Sequence, residues 1–180
     1  TTLSNFYAGI FADWDIDAAT YNDNSSAYDS GNKLGYTYHT APGGLYGGIK
    51  LLTSTASPNF YALDNTAGGG GGVDISTGFT TAQKYQVLST TRLAGGTTGT
   101  GVDQANVMSS GPFTILPGDT AVVAFALIAG DSLADLQSSA VNAQNMYDAT
   151  TTFIKKNSDA SVIRLYPNPA QDNLVIDFGT

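Results

Sequence analysis

The sequence predicts a mainly β protein: an antiparallel β-sandwich of jelly-roll-like kind, with one packed α-helix near residues 132–148 and a short helix near 80–89. Three observations carry this. Period-two alternation recurs along the chain between Gly, Pro, Asn and Asp turn signals. The composition suits strands and turns: 21 residues are Gly, 10 are Tyr, only 12% are charged, and every one of the 15 acidic residues is Asp rather than Glu. Finally, helical periodicity is sustained over only one long stretch, near the C-terminal third.

The elements follow in order. Ile10, Ala12, Trp14 and Ile16 alternate with Phe11, Asp13, Asp15 and Asp17, a strand whose outward face turns acidic. Thr20 to Asn32 has a loop composition, and Leu34, Tyr36 and Tyr38 then resume alternation, so a long hairpin-like excursion is expected. Pro42-Gly43-Gly44 makes a turn into a strand over Leu45 to Thr53, with Tyr46, Ile49 and Leu51 as its buried members. Two glycine-rich stretches, Gly68 to Gly72 and Gly95 to Gly101, read as flexible loops. Between them Thr80 is placed to cap a short helix carrying Tyr85 and Leu88. Val107 to Ser110 pairs briefly, and Gly111 to Asp119 is a strand bounded by turn residues. Thr120 to Ile128, apolar on both faces, is expected to be the central, most buried strand. Ser132 and Asp135 form the acidic variant of a capping box, and Leu133, Leu136, Ala140, Ala143 and Tyr147 fall on one stripe. The expected organisation is a sandwich over 1–149, a polar linker over 150–161 and a separate β unit over 162–180.

Charge and composition exclude several functions. Seven basic against 15 acidic residues give a net charge of -8, which opposes binding to a phosphate backbone, so no nucleic-acid partner is expected. The absence of cysteine excludes disulfides, thiolate catalysis and zinc-thiolate sites. The longest apolar run, Ala121 to Ala129, falls short of the roughly 20 residues of a spanning helix, and no membrane span is expected. No signal peptide begins the chain, so Thr1 is expected to be an internal or processed start.

The densest group of side chains with chemistry is Asp13, Asp15, Asp17, Asn22, Asp23 and Asp29. Alternate strand residues stand about 6–7 Å apart on one face, so such carboxylates repel unless water or a cation intervenes. Ligands that are all oxygen point to calcium, Ca2+, rather than zinc or copper. Ala18 occupies the place of the EF-hand turn glycine and Asn24 that of its bidentate Glu, which rules out an EF-hand. The expectation is a structural calcium site that pins a long loop, set against a plain solvated acidic face.

His39 is the only histidine, and no Ser lies in a nucleophile elbow, so no catalytic residue is expected. Neither glycine-rich stretch has the residues of a phosphate loop or a dinucleotide fingerprint. Trp14, Tyr21, Tyr28 and Tyr46 would suit a glycan-binding surface if they clustered in solvent, although core positions are the plainer expectation.

Near the end, Leu165-Tyr166-Pro167-Asn168-Pro169-Ala170 cannot lie within a helix or a central strand, because each proline fixes φ and removes a donor. Behind it Leu174, Ile176 and Phe178 alternate as a half-buried strand. This block resembles the opening motif of the C-terminal sorting domain of type IX secretion cargo from the Bacteroidetes, with Leu165, Tyr166, Pro167, Asn168, Pro169, Leu174 and Ile176 as the matching positions. Members of that family continue into a small β-sandwich, whereas one strand is expected here. The resemblance implies export across both membranes, recognition by the type IX secretion machinery, attachment to surface lipopolysaccharide or release, and an extracellular or outer-membrane surface location. It also implies O-glycosylation at Asp-Ser/Thr-apolar sites, which here would be Thr120 and Ser132.

Over much of residues 8–148, the order Asp13-Trp14-Asp15, Lys84 with Leu88, Gly111-Pro112-Phe113 and Pro117-Gly118-Asp119 resembles accessory regions of large secreted Bacteroidetes proteins, some with subtilisin-like peptidase domains. The function expected is therefore a non-catalytic accessory domain of an exported protein. A glycan-binding module or adhesin, and the C-terminal fragment of a larger hydrolase or peptidase, are the alternatives.

Overall fold

Strand β1 (Leu3–Trp14) and strand β5 (Pro58–Asp64) flank β7 (Gln104–Ile115) in an antiparallel three-stranded sheet of a computed structural model that describes residues 1–53, 57–97, 99–153, 164–166 and 175–177. The second sheet is built from β2 (Asn24–Asp29), β3 (Leu34–His39), β4 (Tyr46–Leu51), β6 (Ala94–Gly95) and β8 (Phe125–Gly130). Its order is β6-β2-β3-β4-β8, again antiparallel throughout. Two helices accompany the sheets, α1 (Thr81–Ser89) and α2 (Leu133–Phe153).

Strand alternation sorts the side chains into three apolar layers. Phe60 and Ala62 of β5 and Met108 of β7 meet Ile49 and Leu51 of β4 between the sheets, with Ile10, Ala12 and Trp14 packed against them. One residue out of phase, Tyr61, Leu63, Ala105 and Val107 point to the outer face of the smaller sheet, where Val73 and, from α1, Val87 cover them. On the other outer face Leu34 of β3 lies under Leu136 and Ala140 of α2. The molecule is thus a mainly β sandwich with a helix on each outer face. Complete burial of a side chain such as Phe60 contributes about 1.5–3 kcal/mol.

Both helices start as the sequence predicts. Gln83 N donates to Thr80 Oγ1 at 3.3 Å and Thr80 N donates back to Gln83 Oε1 at 2.9 Å, a complete capping box. At α2, Asp135 N donates to Ser132 Oγ and Asp131 N donates to Asp135 Oδ2, both at 3.2 Å. The predicted stripe of α2 is the covered face, with Leu136 and Ala140 fully buried. In α1 the buried residue is Val87, while Tyr85 faces solvent.

Several sequence expectations are corrected. The apolar run around β8 is not central: β8 is an edge strand of the larger sheet, and Val122 and Leu127 remain 67% and 68% exposed. Five strands overhang three, so the end strand has no sheet opposite it to bury its second face. The central strand is instead β7, whose Gln104, Asn106, Ser109 and Ser110 are buried polar residues that mask it in a hydropathy reading. Val107 to Ser110 and Gly111 to Ile115 belong to this one strand. The loop expected over Thr20 to Asn32 contains β2, whose inward Ser26 is satisfied by a 2.7 Å hydrogen bond to Thr37 Oγ1. Strand β5 has no counterpart in the sequence reading.

The glycine-rich stretches serve close approach. A Cβ on Gly95 would come within 2.5 Å of Gln104 Oε1 and 2.8 Å of Asp64 Oδ1. Asp64 Oδ1 accepts from Gly96 N at 2.7 Å and Gln104 Nε2 at 2.8 Å, while Arg92 donates to Asp64 Oδ2, to Ala62 O and to Gly70 O. Both stretches are therefore tied to one ion pair whose carboxylate is buried and whose guanidinium is partly exposed.

The chain divides into two compact units, Thr1–Tyr147 and Asp148–Thr180. In the second, β9 (Arg164–Tyr166) and β10 (Val175–Asp177) pair antiparallel, Leu165 opposite Ile176. Two short strands thus stand where one was expected. Helix α2 continues to Phe153, into the linker predicted over 150–161, whose remainder lies outside the described residues. No helix among the described residues is long and apolar enough to cross a membrane.

Candidate functional site

The acidic residues singled out in the sequence do not share one place. Asp13 pairs with Ala105 across β1 and β7, which puts its side chain on the outer face of the smaller sheet. Asp29 lies on the opposite outer face of the sandwich, where its carboxylate accepts from Gly31 N, Asn32 N, Asn32 Nδ2 and Gln137 Nε2 at 2.7–3.2 Å. Burial pushes this carboxyl up, but those four donors outweigh it and hold it below its ordinary value. Asp29 closes the β2–β3 turn and tethers α2. Asp17 (φ 57°), Asn22 and Asp23 belong to the turns between β1 and β2; Thr20 N donates to Asp17 O, and Thr40 N to Asp23 O.

The residue that joins Asp13 and Asp15 is Asp103, just before β7. Its carboxyl is raised by burial and then by the charges of Asp13 and Asp15; that of Asp13 is raised by burial and by Asp15. Asn65 Nδ2 donates to Asp103 Oδ2 at 3.0 Å, whereas the buried Oδ1 has no partner among the described residues. The carboxylates sense each other's charge without converging: among the described residues no three acidic or histidine side chains are arranged to hold a metal ion. Asp103 escapes a sequence reading because its partners are some 90 residues away, brought near only by the β1–β7 register.

The aromatic set is likewise divided. Trp14 packs in the inter-sheet layer, and Tyr28 stacks on Phe60 there with centroids 5.6 Å apart, so neither is a surface platform. Tyr21 is exposed in a 3-10 turn. Tyr46 stands directly opposite Tyr38 on the outer face of the larger sheet; their rings stack at 5.3 Å and 14°, and Tyr36 tilts against both. Burial, then the neighbouring Tyr38 and Tyr46 hydroxyls, raises the Tyr36 phenol. Beside the stacked pair lies a depression of about 320 Å³, bounded by the turn that follows β3 and by Asp131 and Ser132 at the start of α2.

His39 lines that depression. Its Nδ1 accepts from Ala41 N at 3.2 Å and its Nε2 is hydrogen-bonded to Thr20 Oγ1 at 2.8 Å, so the ring holds two turns together. Of the residues implied as glycosylation sites, Thr120 is exposed between β7 and β8, and Ser132 is occupied as the cap of α2. Of the positions expected to carry a sorting motif, Leu165 and Tyr166 lie in β9 and Ile176 in β10, while Pro167, Asn168, Pro169 and Leu174 lie outside the described residues.

No family model, curated protein or solved structure matches the chain.

Proposed function

We propose that the chain is a non-catalytic accessory module of a secreted or cell-surface protein exported by type IX secretion, stiffened by calcium. The observation that carries the reading is the separateness of the sorting block: the unit Thr1–Tyr147 has its own three apolar layers, and the Leu165–Tyr166 and Ile176 positions pair with each other in the second unit. A module followed by its own small β unit suits an address appended to a finished domain. The non-catalytic reading is supported by His39, whose two ring nitrogens are committed to Thr20 and Ala41. For calcium, the support lies in the mutual repulsion of Asp13, Asp15 and Asp103 and in the unpartnered Asp103 Oδ1; a bound cation would relieve both. Asp103 and Asn65 replace Asp29 in that reading.

The test is export of a reporter carrying the region of the natural protein that includes residues 162–180, in a Bacteroidetes host. Replacing Pro167 and Pro169 by Ala should retain the reporter in the cell; undiminished export would sink the assignment. The calcium part is tested by thermal melts of the folded module in calcium and in chelator, with a raised midpoint expected in calcium and equal midpoints counting against it.

A further inference from the structure

We propose that the depression beside Tyr38 and Tyr46 is a carbohydrate subsite that takes one neutral pyranose ring. The inference goes beyond the accessory and export reading and stands independently of it.

Its floor is set by the sheet. Tyr38 and Tyr46 are cross-strand partners, so the β3–β4 register fixes their rings in one stack, and Tyr36 braces it from the adjoining position. Helix α2 covers Leu34 and packs against Tyr36 and Tyr46, but the cluster beneath it does not include Tyr38. That end of the tyrosine row borders the open depression. A pyranose offers an apolar C–H face and a girdle of hydroxyls, the complement of an amphipathic ring with a polar edge.

The rim supplies what those hydroxyls need. Asp131 carries an acceptor-only carboxylate, since the part of it committed to the fold is its backbone N–H, which donates to Asp135. Ser132 Oγ accepts from Asp135 N, which leaves its O–H to donate. The lining contains no Lys or Arg. A carboxylate without a cation disfavours a phosphate or other anion. The volume is at the low end of the roughly 300–1,000 Å³ typical of small-molecule sites, which suits a single sugar unit. A quaternary ammonium is the competing ligand, but an aromatic cage needs ring faces that converge. Rings only 14° from parallel, stacked on one another, do not enclose a cation.

The experiment is a heteronuclear NMR titration of the folded protein with methyl glycosides of glucose, mannose, galactose, xylose and N-acetylglucosamine, and with choline. At least one glycoside should shift the amides of residues 39–44 and 131–133. Tyr38→Ala should weaken that binding by about tenfold or more, whereas Tyr38→Phe, which keeps the stack, should stay within about threefold. Asp131→Asn, at an exposed position, should cost about tenfold by removing a charged acceptor. Unchanged spectra with every glycoside at about 20 mM, binding indifferent to Tyr38→Ala, or shifts by choline alone would each overturn the proposal.

Discussion

Arg92 donates through Nη2 to Asp64 Oδ2 at 2.8 Å, and this ion pair joins β5 to the two glycine-rich stretches. Burial pushes the Asp64 carboxyl up, but the donors Arg92, Gln104 and Gly96, with the Arg92 charge, outweigh it and hold it below its ordinary value. Removing Arg92 would strand a buried carboxylate. Arg92→Ala is expected to destabilise the protein by about 3 kcal/mol in urea unfolding. Arg92→Lys, which keeps the charge but loses the fork shared between Ala62 O and Asp64, should still cost about 1 kcal/mol.

The same pair sets an acid limit. A carboxyl depressed in the folded state contributes stability that is fully present above the unfolded value of about 3.9 and is lost as pH falls through the folded value. In Arg92→Ala, burial of Asp64 remains while a principal donor is gone, so the acid-unfolding midpoint should move to higher pH. An unmoved midpoint would show that Asp64 is not the controlling group.

Asp13 and Asp103 carry the opposite sign. Raised carboxyls bind protons more readily when folded, so their contribution is greatest at low pH and is lost as pH rises through the folded values. Asp15→Asn should lower the midpoints of both in a carboxyl NMR titration of metal-free protein. It should also stabilise that protein slightly at pH about 7 by removing the repulsion.

Gly35 of β3 faces Phe60 so closely that a Cβ would overlap its ring. Gly35→Ala is expected to cost about 1–3 kcal/mol through overpacking. Combining it with Phe60→Leu should cost less than the sum of the two single changes. Strict additivity would mean that the two positions do not share this space.

Position in the sheets, rather than hydropathy, should govern truncation. Phe60→Ala is expected to cost about 3–5 kcal/mol. Leu127→Ala, on the overhanging edge strand, should lie within about 0.5 kcal/mol of wild type. Comparable losses at both sites would contradict the placement of β8.

These contrasts show which parts of the structure were legible. The α2 stripe and both caps were readable because helix spacing and capping are local. So was the inward row Ile10, Ala12 and Trp14. The place of β8 is not legible, because an apolar run does not reveal whether a second sheet lies opposite. The centrality of β7 is hidden, because its buried Gln104 and Asn106 find partners, Asp64 and Thr37, that only the fold supplies. The acidic set divides for the same reason: Asp29 is near Asp13 in sequence but on the opposite outer face, and Asp103 is distant in sequence yet interacts with Asp13 and Asp15.

The pairing of β1 with β7 also governs when the module can fold. The partners Trp14 and Gln104 are separated by 90 residues, and Leu3 and Ile115 by 112. At synthesis rates of about 5–20 residues per second, the first strand waits roughly 5 to 20 s for its partner. Loop-closure entropy over such spans also makes the pairing late and slow. Through that interval the apolar row Ile10, Ala12 and Trp14 lacks its β7 partner, so the emerging chain carries an unpaired apolar strand before it carries a domain.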